Sequence, residues 1–217
     1  MNASILNSII SHLAQTRPFY YSEADFQHYL AMALRYAGYK VFLEYPVLTP
    51  TGYYYIDIVI EDKGVYYPIE LKYKTKKDLC SGLLTPYTLK DQSANDIGRY
   101  LFWEDVNRIE VILGQHYELF AEGYVIMLTN DEKYWKVPSR PVTTIDQYFK
   151  MHPGMTVNKV HWANTKSAPS YNPGHSNYPA FTLGRSYDVP EWNPYSKAYN
   201  SNRDPKREFR FLTIVVK

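Results

Sequence analysis

Apolar residues recur at helical spacing from the start of the chain. Ile5, Leu6, Ile9, Ile10 and Leu13 share one face over residues 3–15, and Arg17-Pro18 ends that segment. Ser22-Glu23-Ala24-Asp25 has the form of a capping box, with Asp25 as the partner of Ser22. The stripe that follows, Phe26, Leu30, Leu34 and Ala37, predicts a second helix closed by Gly38. Residues 41–47 then read as a short strand before Pro50-Thr51-Gly52. Two apolar runs, 54–61 and 65–74, flank Lys63-Gly64 and predict a β-hairpin. A two-residue loop there pairs Asp62 with Val65, Ile60 with Tyr67, Ile58 with Ile69 and Ile56 with Leu71. One face of the hairpin is then uniformly apolar.

Residues 79–88 read as a loop, and the stretch from Thr88 to Asp91 as a second capping box opening a helix to about Glu110. Phe102, Val106, Ile109 and Leu113 form its core stripe. Gln92, Asp96, Arg99 and Trp103 line another face, with Asp96 and Arg99 as an i,i+3 surface pair. Gly98 costs about 1 kcal/mol against alanine inside a helix, which implies close packing at that point. Residues 123–130 are a buried strand. After Asp131 the periodicity fades. Residues 131–207 carry Pro, Asn, Ser, Tyr and Trp in segments such as HPGMTVNKVHW, SYNPGHSNYP and YDVPEWNPYS, which read as ordered loops with short strands. A closing strand covers about 208–216. The expected class is α/β, a mixed sheet flanked by helices. A core over 1–130 would carry an aromatic-rich extension over 131–217 packed on it.

The same hairpin register puts Asp57 directly opposite Glu70, with Lys72 two residues along the strand. Like charges in a direct pair destabilise a sheet, and a bound cation removes that penalty. Two acids and a lysine on one sheet face are thus a candidate divalent-metal site for cutting phosphodiesters. The other reading is a solvated sheet face on which Lys72 offsets the repulsion.

Composition narrows the field. The 217 residues suit one domain, and a net charge of +2 confines any basic surface to a local run, Lys72, Lys74, Lys76 and Lys77. Twenty-three tyrosines suit half-buried sheets, nucleotide stacking and interfaces alike. Cys80 is the only cysteine, so neither a disulfide framework nor a Cys-based zinc site is expected. His116, His152 and His161 lack ligand spacing, and Cys80 and Ser81 have no adjacent base. There is no GxxxxGK loop and no GxGxxG after a strand. No stretch approaches 18 apolar residues and no signal-peptide pattern opens the chain, so the expectation is a cytoplasmic protein without a membrane span.

Asp57 followed by Glu70-Leu71-Lys72 on the adjacent strand resembles the PD-(D/E)XK nuclease superfamily, whose core is a restriction-endonuclease-like mixed sheet flanked by helices. Ile56 stands where a proline is usual. Glu23, Phe26, Leu30 and Leu34 match the helix that supplies an extra acid in several branches, and Pro68-Ile69-Glu70-Leu71-Lys72-Tyr73-Lys74 is close to the IELKxK wording of a bacterial branch. The resemblance implies a Mg²⁺- or Mn²⁺-dependent DNA endonuclease. Asp57, Glu70 and the Leu71 backbone carbonyl would be metal ligands and Lys72 would lie beside the attacking water. Glu23 and Gln92 would support the site, and Lys74, Lys76 and Lys77 would meet phosphates. A homodimer is compatible with cutting both strands of a duplex. The alternative is a non-catalytic nucleic-acid- or protein-binding module on a nuclease fold, with the aromatic tail as its working surface.

Overall fold

The computed structural model describes residues 1–49, 52–80, 85–137, 143–163, 178–197 and 208–217. Pro50, Thr51, Ser81 and most of SYNPGHSNYP lie outside the described residues. Helix α1 (Ala3–Leu13) starts where the Asn2 side chain accepts from the Ile5 amide, and α2 (Glu23–Tyr36) where Ser22 accepts from the Asp25 amide. The Asp25 carboxylate turns to the Tyr21 amide and to Arg17 instead of completing the box. Gly38, at φ +94°, reverses the chain after α2.

Strands β1 (Lys40–Thr49), β2 (Gly52–Asp62) and β3 (Val65–Lys74) follow. Beyond the small ladder of β4 (Leu79–Cys80) with β5 (Tyr87–Thr88) come α3 (Asn95–Gln115) and the fully buried β6 (Gly123–Thr129). A 3₁₀ turn (Gln147–Phe149), β7 (Thr156–Val160) paired with β8 (Phe181–Asp188), β9 (Asn193–Ser196) and β10 (Phe209–Val216) complete the chain. Six strands form a mixed sheet in the order β1-β2-β3-β6-β10-β9. Only β3 and β6 are parallel, because α3 carries the chain from the end of one back to the start of the other. No helix among the described residues is long and apolar enough to cross a membrane.

Each face of the sheet buries a core. One holds α1 and α2 against Ile58, Ile60, Ile69, Leu71, Ile126 and Phe211. The other holds α3 against Val59, Val125, Met127 and Leu212, and takes in Trp135, Phe149, Trp162, Tyr187 and Trp192 from the extension. The expected working surface of aromatics is therefore interior where those residues are concerned.

Three local expectations need correction. The long helix begins at Asn95 and not near Thr88, so Gln92 precedes it. Residues 89–92 are instead tied to the end of β3, through the Leu89 amide to Asp78 O and the Gln92 amide to Thr75 O. Arg99 is buried and ion-paired with Asp146, an interaction across sequence that displaces the expected pair with Asp96. Ile56 leaves the apolar face shared by Ile58 and Ile60 and packs in the α3-side core.

Gly98 does pack closely: a Cβ there would lie 2.1 Å from Tyr134 Oη, which is itself buried. Gly98→Ala is expected to destabilise the fold by about 1–3 kcal/mol despite its better helix propensity, lowering Tm by about 5 °C. A thermal melt that shows a stabilised variant would contradict this packing.

Candidate active site

The site begins where two strands part. The ladder between β2 and β3 runs from Asp62↔Val65, as expected from the hairpin, and ends at Ile58↔Ile69. The ladder of β2 with β1 skips Asp57 and Glu44, and Glu44 has φ +48°. Because β2 rolls over at this break, Ile56 and Ile58 face opposite cores although they are two residues apart. Asp57 and Glu70 therefore come together at the parting of the strands and not as a regular cross-strand pair.

Past Ile69 the edge of β3 that faced β2 has lost its strand partner. Buried backbone donors need acceptors, and side chains take over. The Leu71 amide donates to Asp57 Oδ2 (2.7 Å), the Tyr73 amide to Glu23 Oε2 (2.6 Å) and the Thr75 amide to Gln92 Oε1 (2.9 Å). Glu23, Asp57 and Gln92, from three separate elements, are thus lined up along one strand edge. Gln27, one turn along α2 from Glu23, donates to Asp57 O and to Glu44, each at 2.7 Å. In a strand the N–H and C=O of one residue point to the same edge, so the Leu71 carbonyl opens toward Asp57.

Glu70 and Lys72 meet a second set of charges from α3. Lys72 Nζ lies 2.5 Å from Asp105, Arg108 lies 3.2 Å from Asp105 and 3.4 Å from Glu70, and the Arg108 guanidinium sits over the Tyr54 ring. Glu70 and Asp105 are each only 2% exposed. Asp105 and Arg108 are missing from the sequence reading. The signal for them is a charged residue inside the buried stripe, since Asp105 follows Phe102 by one turn and precedes Ile109 by another.

Four carboxyls, Glu23, Asp57, Glu70 and Asp105, face two cations, Lys72 and Arg108. Burial pushes all four carboxyl pKa values up. Glu70 rises well above the usual range because Asp105 and Asp57 add their repulsion. Burial alone would lower Lys72 and Arg108, but the surrounding acids, Asp105 first, outweigh it and raise both. Glu44 beside Asp57 and Glu104 beside Asp105 add to these acids and Lys74 beside Glu23 to the bases, so acids outnumber bases here, an excess that a divalent cation would offset. The donors also suit a hard cation that keeps several waters, since Asp57, Glu70 and the Leu71 carbonyl all offer oxygen. Among the described residues no three His, Cys, Asp or Glu side chains converge tightly enough to enclose a metal by themselves. Lys74 shares a cleft of about 180 Å³ with Glu23, Lys90 and Gln92. The Lys76 backbone is held on both sides by Asn130, and Lys77 is exposed.

Neither a protein-family model nor a curated protein matches the chain.

The raised Glu70 pKa sets a sign for stability. A carboxyl that binds its proton more tightly when folded contributes stability below its unfolded value, near 4, and that contribution is lost as pH rises through the folded value. Glu70→Gln is accordingly expected to raise Tm by about 3 °C or more at about pH 7.5, and to give no gain at about pH 4. Melting curves across that range check it, and a lower Tm at neutral pH would contradict the assignment.

Proposed function

We propose that this chain is a metal-dependent phosphodiesterase, a DNA endonuclease of the PD-(D/E)XK type on a restriction-endonuclease-like core. The observation that carries this reading is the parted β2–β3 edge. Three acceptors line it, and acids outnumber bases in the adjoining buried cluster. Structural needs alone do not explain that excess. A Leu71 amide needs one acceptor, which an asparagine would supply without the cost of burying a carboxylate.

Asp57, Glu70 and the Leu71 carbonyl would hold Mg²⁺ or Mn²⁺, which polarises a phosphoryl oxygen and offsets developing charge. The chain's own groups do the positioning. Asp57 is fixed by the Leu71 amide and cannot swing away from the strand edge. Lys72, held against Asp105 on one side and near Glu70 on the other, keeps an ammonium where an attacking water loses its proton. Its charge stabilises the developing anion without Lys72 itself being neutral. Arg108 reaches the same carboxyls and can follow a phosphate oxygen as charge builds. Glu23, anchored on the Tyr73 amide, completes the acidic edge.

A second reading has one observation in its favour: both cations of the site are engaged by its own acids, as an idle site in a binding module would be. Metal binding separates the two. Asp57→Ala, Glu70→Ala and Lys72→Ala are each expected to reduce Mg²⁺- or Mn²⁺-dependent cleavage of plasmid DNA by at least about 100-fold while far-UV circular dichroism stays unchanged. Full activity in the Glu70 variant would sink the catalytic reading. Calorimetric Mn²⁺ binding lost in Asp57→Ala supports it, and no Mn²⁺ binding by the native chain favours the idle module.

A further inference from the structure

Glu70 is a metal ligand in the proposed site, yet one of the chain's own cations is already bonded to it. Arg108 Nη1 stands 3.4 Å from Glu70 Oε1 and 3.2 Å from Asp105 Oδ1, so one nitrogen is shared between two carboxylates. A guanidinium that closes a permanent pair engages a carboxylate through two nitrogens, each at about 2.7–2.9 Å. Arg108 does neither. Asp105 does not depend on it, because Lys72 Nζ lies 2.5 Å from Asp105. Among the described residues no other lysine or arginine comes within ion-pair distance of Glu70. The one cation in contact with this carboxylate is therefore held loosely.

Arg108 also has somewhere else to go. Its side chain is 26% exposed against 3% for that of Glu70, so the arginine is the partner that reaches solvent. The guanidinium lies over the Tyr54 ring, 5.1 Å from its centroid, and Glu104, one turn back along α3, is a further acid beside it. Neither of these interactions involves Glu70. A guanidinium that gives up Glu70 therefore keeps a ring face and an acid for its charge. A divalent ion and a guanidinium on the same carboxylate are like charges in close approach. In a half-buried site, where water screens them poorly, they repel one another strongly.

We infer that Arg108 is a placeholder for the metal: it neutralises Glu70 at rest and gives that carboxylate up to a divalent cation, turning toward Tyr54 and Glu104. A site whose acids are engaged by its own cations can then still load a metal, because the contact at Glu70 is the one made to be exchanged. The strength of metal binding is set in part by a residue that supplies no ligand atom. This inference rests on the metal site of the nuclease reading and adds a competitor built into α3. A permanent structural pair has the opposite consequence. Without Arg108, Glu70 would lose the partner that holds it, and a metal would bind no better.

The test is calorimetric titration of the full chain with Mn²⁺ at about pH 8, where a proton competes least for the carboxylate that the guanidinium leaves. Arg108→Gln keeps an amide beside Asp105, and Arg108→Met keeps an apolar stem against Tyr54, so the test does not hang on one variant folding. Far-UV circular dichroism checks both. Each is expected to bind Mn²⁺ about tenfold more tightly than the native chain, a coupling of ordinary size. Arg108→Lys, which keeps the charge, should gain less than either. Adding Asp57→Ala should abolish the gain, which ties the ion to the proposed site. Equal or weaker Mn²⁺ binding by the folded, charge-free variants would overturn the inference, as would a gain that survives Asp57→Ala. Either result leaves the nuclease reading standing where the native chain binds Mn²⁺ through Asp57. No Mn²⁺ binding by the native chain or any variant removes that reading and the placeholder with it. Binding that appears only once Arg108 is replaced, and is lost again with Asp57→Ala, supports the inference most directly.

Discussion

A strand edge without a neighbouring strand must find acceptors for its amides, and the site follows from how β3 meets that need. Each backbone N–H left unpaired in the interior costs on the order of 1–3 kcal/mol. Leu71, Tyr73 and Thr75 present three of them in a row, and Asp57, Glu23 and Gln92 each accept one. That single requirement fixes the start of α2, the break in β2 and the path of residues 89–92 relative to β3. The acids are ordered by backbone hydrogen bonds before any ligand is considered, which is the kind of preorganisation that catalysis by charge requires.

The same cluster works against the fold. Four carboxyls in or near the interior meet two cations, and burial drives every one of those carboxyl pKa values upward. A buried ion pair rarely repays its desolvation, and a buried excess of one sign repays still less. A sequence selected for stability alone would place apolar or amide residues there. Stability withheld at one place while the surrounding core is dense is the usual sign of a site kept for its chemistry.

The extension contributes to the site at a distance. Within the extension Trp192 donates from Nε1 to Met151 O and Trp162 to Tyr178 O, and Trp103 of α3 donates to Phe149 O of the extension. Glu110 accepts from the Gly184 amide and the Tyr187 hydroxyl. The bonds of Trp103 and Glu110 hold α3 to the extension on either side of Asp105 and Arg108, the two residues in contact with Lys72 and Glu70. A segment whose sequence reads as ordered loops with short strands is the outer layer packed against the charged helix.

Local periodicity was enough for much of this molecule. The apolar spacing of α1 and α2, the Ser22 cap, the hairpin register from Asp62↔Val65 to Ile58↔Ile69, and the buried β6 all follow from contacts between residues a few positions apart. Those contacts depend on backbone geometry that every chain shares, and they bring Asp57 and Glu70 to the same end of the hairpin without fixing how the two meet. The roll of β2 at Asp57, the late start of α3 that freed Gln92 for Thr75, and the pairing of Arg99 with Asp146 did not. Neither did the approach of Asp105 and Arg108 to Lys72 and Glu70. Each of these depends on elements brought together by closing long loops, where small differences in packing and desolvation decide between partners that local spacing treats alike.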